Sequence, residues 1–235
     1  MAHKYSGTFT IIDGLDGIGK GVVQKAIEEY LISKNLRIFD LHQFWKKYHN
    51  HPEFVHKEID GKKNPLFLDL DNFDVILSSE PTFVYMGKAI RDEIITNNDR
   101  QYSAHMTARL YAADRAVLYK RVLLPALKRG KHVIQSRSVS TSIVYQPMQE
   151  LETHEPELTI AQIIKIDGND FALSNAPNLL IIPTISETKQ ILERLKAREK
   201  QDNCQFETIE FQEKVKPLYE SKKLRHIFES RGTKV

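Results

Sequence analysis

The chain has 235 residues, 41% of them hydrophobic, enough for one α/β domain or two small ones with a buried core. Its 34 Lys and Arg against 31 Asp and Glu leave a net charge of +3, which gives no ground for a nucleic-acid partner. No apolar run reaches the roughly 20 residues of a membrane helix, MAHKYSG lacks the apolar core of a secretory signal, and the one cysteine, Cys204, has no partner for an internal disulfide. A cytoplasmic protein with no membrane or nucleic-acid partner is therefore expected.

Strand-like runs alternate with amphipathic helical ones, the pattern of a parallel β-sheet flanked by helices on both faces. TFTII (8–12) is β-branched and aromatic and reads as the first strand. VVQKAIEEYLISK then predicts a helix, with Val23, Ile27 and Leu31 four apart on one face. LRIFDL (36–41) and DVILSSE (74–80) read as strands. Residues 42–73 between them show no steady period and are expected to be an insertion, too short to bury a core of its own. Its His49, His51 and His56 read as solvated loop residues, since no cysteine or close carboxylate spacing makes them metal ligands. ARLYAADRAVLYKRVLLPALKRG (108–130) predicts a long helix broken near Pro125 and ended by Gly130. HVIQS (132–136) and NLLIIPT (178–184) complete the strands, while 187–200 and 211–223 read as helices.

The first strand runs into IIDGLDGIGKGVV (11–23), which follows the pattern G-x-x-x-x-G-K-[ST] up to its last letter. A glycine-rich turn between strand and helix aims several backbone N–H groups into one concavity, and the helix dipole adds to their pull on phosphate. Gly14, Leu15, Asp16, Gly17, Ile18, Gly19, Lys20 and Gly21 are the expected ATP-binding loop, with Lys20 placing a cation on the β/γ-phosphates. Gly21 stands where a metal-binding hydroxyl is usual, so Mg²⁺ arriving with ATP is left short of one protein ligand. Asp13 and Glu80 are the nearest carboxylates that could organise metal-bound water.

SSEPTFVYMGKAIRDEI (78–94) resembles the R-E-P-G…I-G-E-x-I-R segment of thymidylate kinases. LYAADRAVLYKRVLLPALKRGKHVIQSRSVSTSIVYQ (110–146) is similar to their L-F-A-A-D-R…D-R-Y…A-Y-Q block, and APNLLII (176–182) to their P-D-L strand. The resemblance spans most of the chain apart from 42–73. It implies a single domain over 1–235 with the P-loop NTPase fold and a helical lid near 187–205. Its implied activity is transfer of the ATP γ-phosphate to a deoxynucleoside monophosphate, dTMP in this family, in a homodimer formed near the A-D-R block. Residue by residue, it puts Asp16 at the sugar 3′-hydroxyl, Tyr111 against the base, and Arg115 and Arg137 near base and monophosphate. Ser142 and Tyr145 fall at further substrate positions, and Arg194 and Arg198, four apart on one helical face, would stabilise the transferring phosphoryl group from the lid.

The chain departs from that pattern in several places. D-R-Y reads Ser136-Arg137-Ser138, the arginine of R-E-P-G is Ser79, its glycine is Thr82, and the helix that closes the family chain is expected to be missing. Two rival readings stay open. Glu80-Pro81 and Arg137-Ser138 also occur in deoxynucleoside kinases, where Glu80 would act as base, and a non-catalytic ATP-binding protein would tolerate the lost metal-side groups.

Overall fold

The computed structural model describes residues 5–96, 98, 100, 102–149, 157–187, 190–191, 206 and 208–235. The strands are β1 (Phe9–Ile12), β2 (Ile38–Asp40), β3 (Glu58–Ile59), β4 (Lys62–Lys63), β5 (Val75–Ser79), β6 (His132–Ser136) and β7 (Leu179–Ile181). Five of them form one parallel sheet in the order β2-β5-β6-β1-β7, and β3 and β4 pair separately as a hairpin. In the middle of the sheet Ile11 is level with Gln135 and Leu180.

Strand alternation divides the core between the two faces. Phe9, Ile11, Ile76 and Val133 point into the main core, while Ile12, Val75, Leu77 and Ile134 point the other way. Helix α1 (Lys20–Ser33) covers that second face with Val23, Ile27 and Leu31, the three residues its sequence period singles out. The main core packs against α2 (Leu41–Tyr48), α3 (Tyr85–Ala89), α4 (Ala104–Leu118), α5 (Leu124–Lys128), α6 (Val139–Tyr145), α7 (Ile160–Ile164) and α8 (Asp167–Ser174). After β7 come α9 (Ile209–Tyr219) and α10 (Lys222–Glu229).

Three expectations change. The helix over 108–130 is not broken at Pro125, because a π-turn at Tyr119–Leu123 joins α4 to α5. Proline lacks an N–H and its ring crowds the carbonyl four residues back, and the wider turn ahead of it accommodates both. Gly130, at φ 75°, ends the run as expected. Second, the chain does close on helices, and its tail returns to the sheet where Lys234 bridges Leu179. Third, 42–73 is not simply an excursion: Trp45 and Leu70 belong to the main core. His51 is buried there, its Nδ1 accepting from Trp45 Nε1 at 3.1 Å, whereas His49 and His56 are exposed. Burial and the nearby Arg121 push His51 down to about 3, so it is neutral. The lid expected near 187–205 lies almost wholly outside the described residues. Among the described residues no helix is long and apolar enough to cross a membrane.

Candidate active site

The carboxyl ends of the parallel strands all open on one edge, where ligands of such sheets bind. After β1 the chain turns through Gly17 at φ 76° and Gly19 at φ 103°, angles that favour glycine, and enters α1 at Lys20. Leu15 and Ile18 anchor the loop in the core. The Lys20 ammonium folds back on the loop, donating to Gly14 O at 3.0 Å and Leu15 O at 2.7 Å, with Asp16 at 3.6 Å.

The two loop carboxylates are held from distant parts of the chain. Asp13 is buried and accepts from Gly14 N at 2.8 Å, Tyr219 OH at 3.0 Å, Thr141 Oγ1 at 2.8 and 2.9 Å, and Ser140 Oγ. These donors occupy both oxygens, so Asp13 braces the loop from below and does not line the cavity. Glu80, the other carboxylate expected to organise metal-bound water, does line the cavity. Asp16 accepts from Arg137, and from Tyr145 OH at 3.0 Å, while its own N–H donates to Gln212 Oε1 at 2.9 Å. Arg137 adopts a left-handed backbone at φ 63°, uncommon for a residue with a side chain, and its guanidinium lies over the Tyr145 ring.

Across the opening, Glu80 follows β5 and Arg115 comes from α4. Arg115 donates to Glu80 Oε2 at 2.7 Å, to Ser142 Oγ at 3.1 Å, and to Asn169 Oδ1 of α8. Gln135 Nε2 donates to the other Glu80 oxygen at 3.0 Å. Burial pushes the Glu80 carboxyl up to about 7 against the pull of Arg115. Next to Arg115, Asp114 is buried and accepts from Thr82 N and Thr82 Oγ1, both at 2.7 Å, which fixes the turn after Glu80.

A cavity of about 490 Å³ joins these parts, and the size suits a small organic ligand. It is lined by Asp16, Gly17, Lys20, Gly21, Glu80, Tyr111, Arg115, Arg137 and Tyr145, nine residues singled out in the sequence. Gly14, Leu15, Ile18, Gly19 and Ser142 do not line it, and Arg194 and Arg198 fall outside the described residues. Sequence reasoning missed Phe83, Arg91 and Phe206 in the lining, and Gln212, Gln135, Asn169 and Asp114 behind it. Arg91 lies within a segment already singled out, but nothing in the spacing of Gln212 pairs it with a loop 196 residues away.

Among the described residues no three His, Cys, Asp or Glu come together as a metal site. The cavity does present oxygen donors in Asp16, Glu80 and Ser136, which fit an ion carried on nucleotide phosphates. A glycine-rich loop at a helix start, a lysine on that loop, and arginines across a shared cavity define a P-loop phosphotransferase. The sequence model of the thymidylate kinase family matches residues 67–227. The chain is 27% identical over 216 residues to the probable thymidylate kinase of Pyrococcus abyssi, covering 91% of this chain and 81% of that one. It is also 27% identical over 215 residues to the thymidylate kinase of Ligilactobacillus salivarius, with 91% and 82% covered. The solved thymidylate kinase of Candida albicans superposes with a TM-score of 0.53 at 21% identity, over 91% of this chain and 76% of that one. This chain belongs to the thymidylate kinase family and is an ATP-dependent phosphotransferase.

Proposed function

We propose that the protein transfers the γ-phosphate of ATP to dTMP, giving dTDP, with Mg²⁺ as the metal that accompanies ATP. The observation that carries this is the cavity that runs from Lys20 and Gly21 to Glu80, Tyr111, Arg115 and Arg137. Phosphoryl transfer asks little covalent work of a protein; it needs alignment, exclusion of water and neutralised charge. Lys20 moves from its loop carbonyls to the donor phosphates. Asp16 holds the acceptor sugar, with Arg137, Tyr145 and Gln212 fixing its carboxylate. Tyr111 offers an aromatic face to the base, and Arg137 and Arg115 supply positive charge along the acceptor. A divalent metal carried in with ATP would neutralise charge on the phosphate oxygens, and Glu80 and Ser136 are among the oxygen-bearing side chains of the lining that would face its waters. Arg194 and Arg198 add charge from the lid as the transfer proceeds. The expected assembly is a homodimer through the helices around Asp114 and Arg115, in the cytoplasm.

A coupled assay with ATP over a panel of nucleoside monophosphates, with thymidine beside them, tests the reading. dTMP is expected to be the best acceptor. Turnover of thymidine alone would make the protein a deoxynucleoside kinase, and ATP binding without turnover in Mg²⁺ or Mn²⁺ would make it non-catalytic. Light scattering on the purified protein checks the dimer.

A further inference from the structure

Three side chains with no part in the transfer above form a hydrogen-bonded line where β2 and β5 end. His42 Nδ1 lies 2.6 Å from Asp40 Oδ1, and His42 Nε2 lies 2.8 Å from Ser79 Oγ. Asp40 is doubly engaged, since it also caps α2 by accepting from His42 N at 2.9 Å. Burial works against its ionisation, but the hydrogen bonds from His42 outweigh it and hold the carboxyl below the usual range. Acid, imidazole and serine are the residue types of a nucleophilic triad. Here, however, Ser79 is buried and does not line the cavity, so the line is suited to hold rather than to attack.

What it holds is one wall of the cavity. The His42 ring meets Phe83 edge-on at 5.6 Å and Trp45 edge-on at 5.5 Å, and Trp45 itself lies 6.0 Å from Phe83. Phe83 lines the cavity, and the Arg91 guanidinium lies 3.8 Å over its ring. Arg91 lines the cavity too, while donating to Pro81 O at 2.6 Å and Thr82 O at 3.1 Å. Phe83 and Arg91 follow β5 on the Glu80 side, opposite the phosphate loop, so they belong to the acceptor half. A serine at 79 is short and uncharged, and it serves here as the far anchor of an imidazole strut.

We propose that His42 is a positioning residue for the acceptor: strung between Asp40 and Ser79, it fixes Phe83, and through Phe83 it fixes Arg91. The same packing makes Trp45, the only tryptophan of the chain, a reporter of acceptor binding. This rests on the phosphotransfer reading above. Wild-type turnover of dTMP with ATP is measured first; if no dTDP forms, that reading fails and the strut is judged on fluorescence alone.

With turnover established, His42→Ala and Ser79→Ala are each expected to raise the KM for dTMP roughly tenfold, the scale of one disrupted buried hydrogen bond. The KM for ATP and kcat stay within about twofold of wild type, because the strut does not touch the loop. His42→Gln, which keeps a polar group in reach of Ser79, recovers part of the loss. In wild-type protein, dTMP shifts Trp45 emission saturably, ATP alone does not, and Phe83→Ala abolishes the response. Equal changes in both KM values, or emission indifferent to dTMP, overturn the proposal. The fluorescence titration needs no variant, so a poorly folding His42→Ala leaves the test intact.

Discussion

Arg115 and Glu80 meet as an ion pair with their side chains only 1% and 3% exposed, Nη2 to Oε2 at 2.7 Å. Charges removed from water this completely are costly unless every remaining polar atom is also paired. Asn169 and Ser142 complete the guanidinium, and Gln135 takes the second Glu80 oxygen. Such a pair rigidifies the acceptor wall and makes its charge state sensitive to pH.

The first prediction follows from that sensitivity. Glu80 is pushed up from 4.5 to about 7, so the folded protein holds this proton more tightly than the unfolded chain does. Its contribution to stability is present in full below about 4.5, is lost as pH rises through about 7, and is level above. Because ionised Glu80 is the form that orders Arg115, kcat/KM for dTMP is expected to rise through the same upper region. Glu80→Gln removes both pH steps. Paired melting and rate profiles of the two proteins decide it, and an unchanged profile in the variant rules out Glu80 as the titrating group.

Lys20→Ala leaves the loop without its ammonium group. A loss of the order of 10²–10³ in kcat is expected, as when one charge-stabilising donor is removed from a transfer site. The Lys20 bonds to Gly14 O and Leu15 O are local to the loop, which Leu15 and Ile18 still anchor in the core, so the fold should survive. Circular dichroism beside single-turnover rates checks both halves of the claim.

Metal dependence should be tunable by two replacements. A Cβ at Gly21 meets nothing within 4 Å, so Gly21→Ser has room for the hydroxyl that such loops usually carry. Ser136→Asp adds a carboxylate to the cavity wall. Each is expected to lower the Mg²⁺ concentration for half-maximal rate at saturating ATP, because the ion gains a protein ligand. Wild-type turnover that persists in excess EDTA would falsify the metal's role.

Arg194→Ala and Arg198→Ala test the lid. An arginine that acts on the transferring phosphoryl group lowers kcat far more than it raises the KM for ATP. Steady-state kinetics in which only the KM moves would assign these arginines to docking of the nucleotide instead.

Gly87→Ala probes how tightly the turn after Glu80 is built. An added Cβ would lie 2.3 Å from Thr82 Oγ1 and 2.5 Å from Thr82 O. Thr82 cannot yield freely, since Asp114 holds its N–H and its hydroxyl. The substitution is expected to cost about 1–3 kcal/mol through overpacking, seen as a fall in Tm of roughly 2–10 °C. A variant that melts with wild type would show the turn to be compliant.

The sheet was readable because β1, β5 and β6 are short apolar runs bounded by loop chemistry, and α1 because its apolar residues keep a steady period. The loop was readable because glycine spacing reports backbone angles directly. His51 was misjudged as solvated because it lies in an aperiodic stretch just past α2, where only its packing against Trp45 buries it. Pro125 misled because a local rule met a π-turn that relaxes it. Gln212 and Tyr219 carry no local signal at all; only tertiary packing brings α9 beneath a loop formed some 200 residues earlier.

That last contact has a consequence for how the protein comes into being. Synthesis runs from the phosphate loop towards α9, so one partner of each loop carboxylate is made some 200 residues after the loop itself. Until α9 has been synthesised and has docked, Asp13 lacks Tyr219 and Asp16 lacks Gln212. A full grip on nucleotide is thus acquired only once α9 has docked, and a nascent chain stalled before residue 208 should be retained less well by an immobilised ATP analogue than one extended past α9.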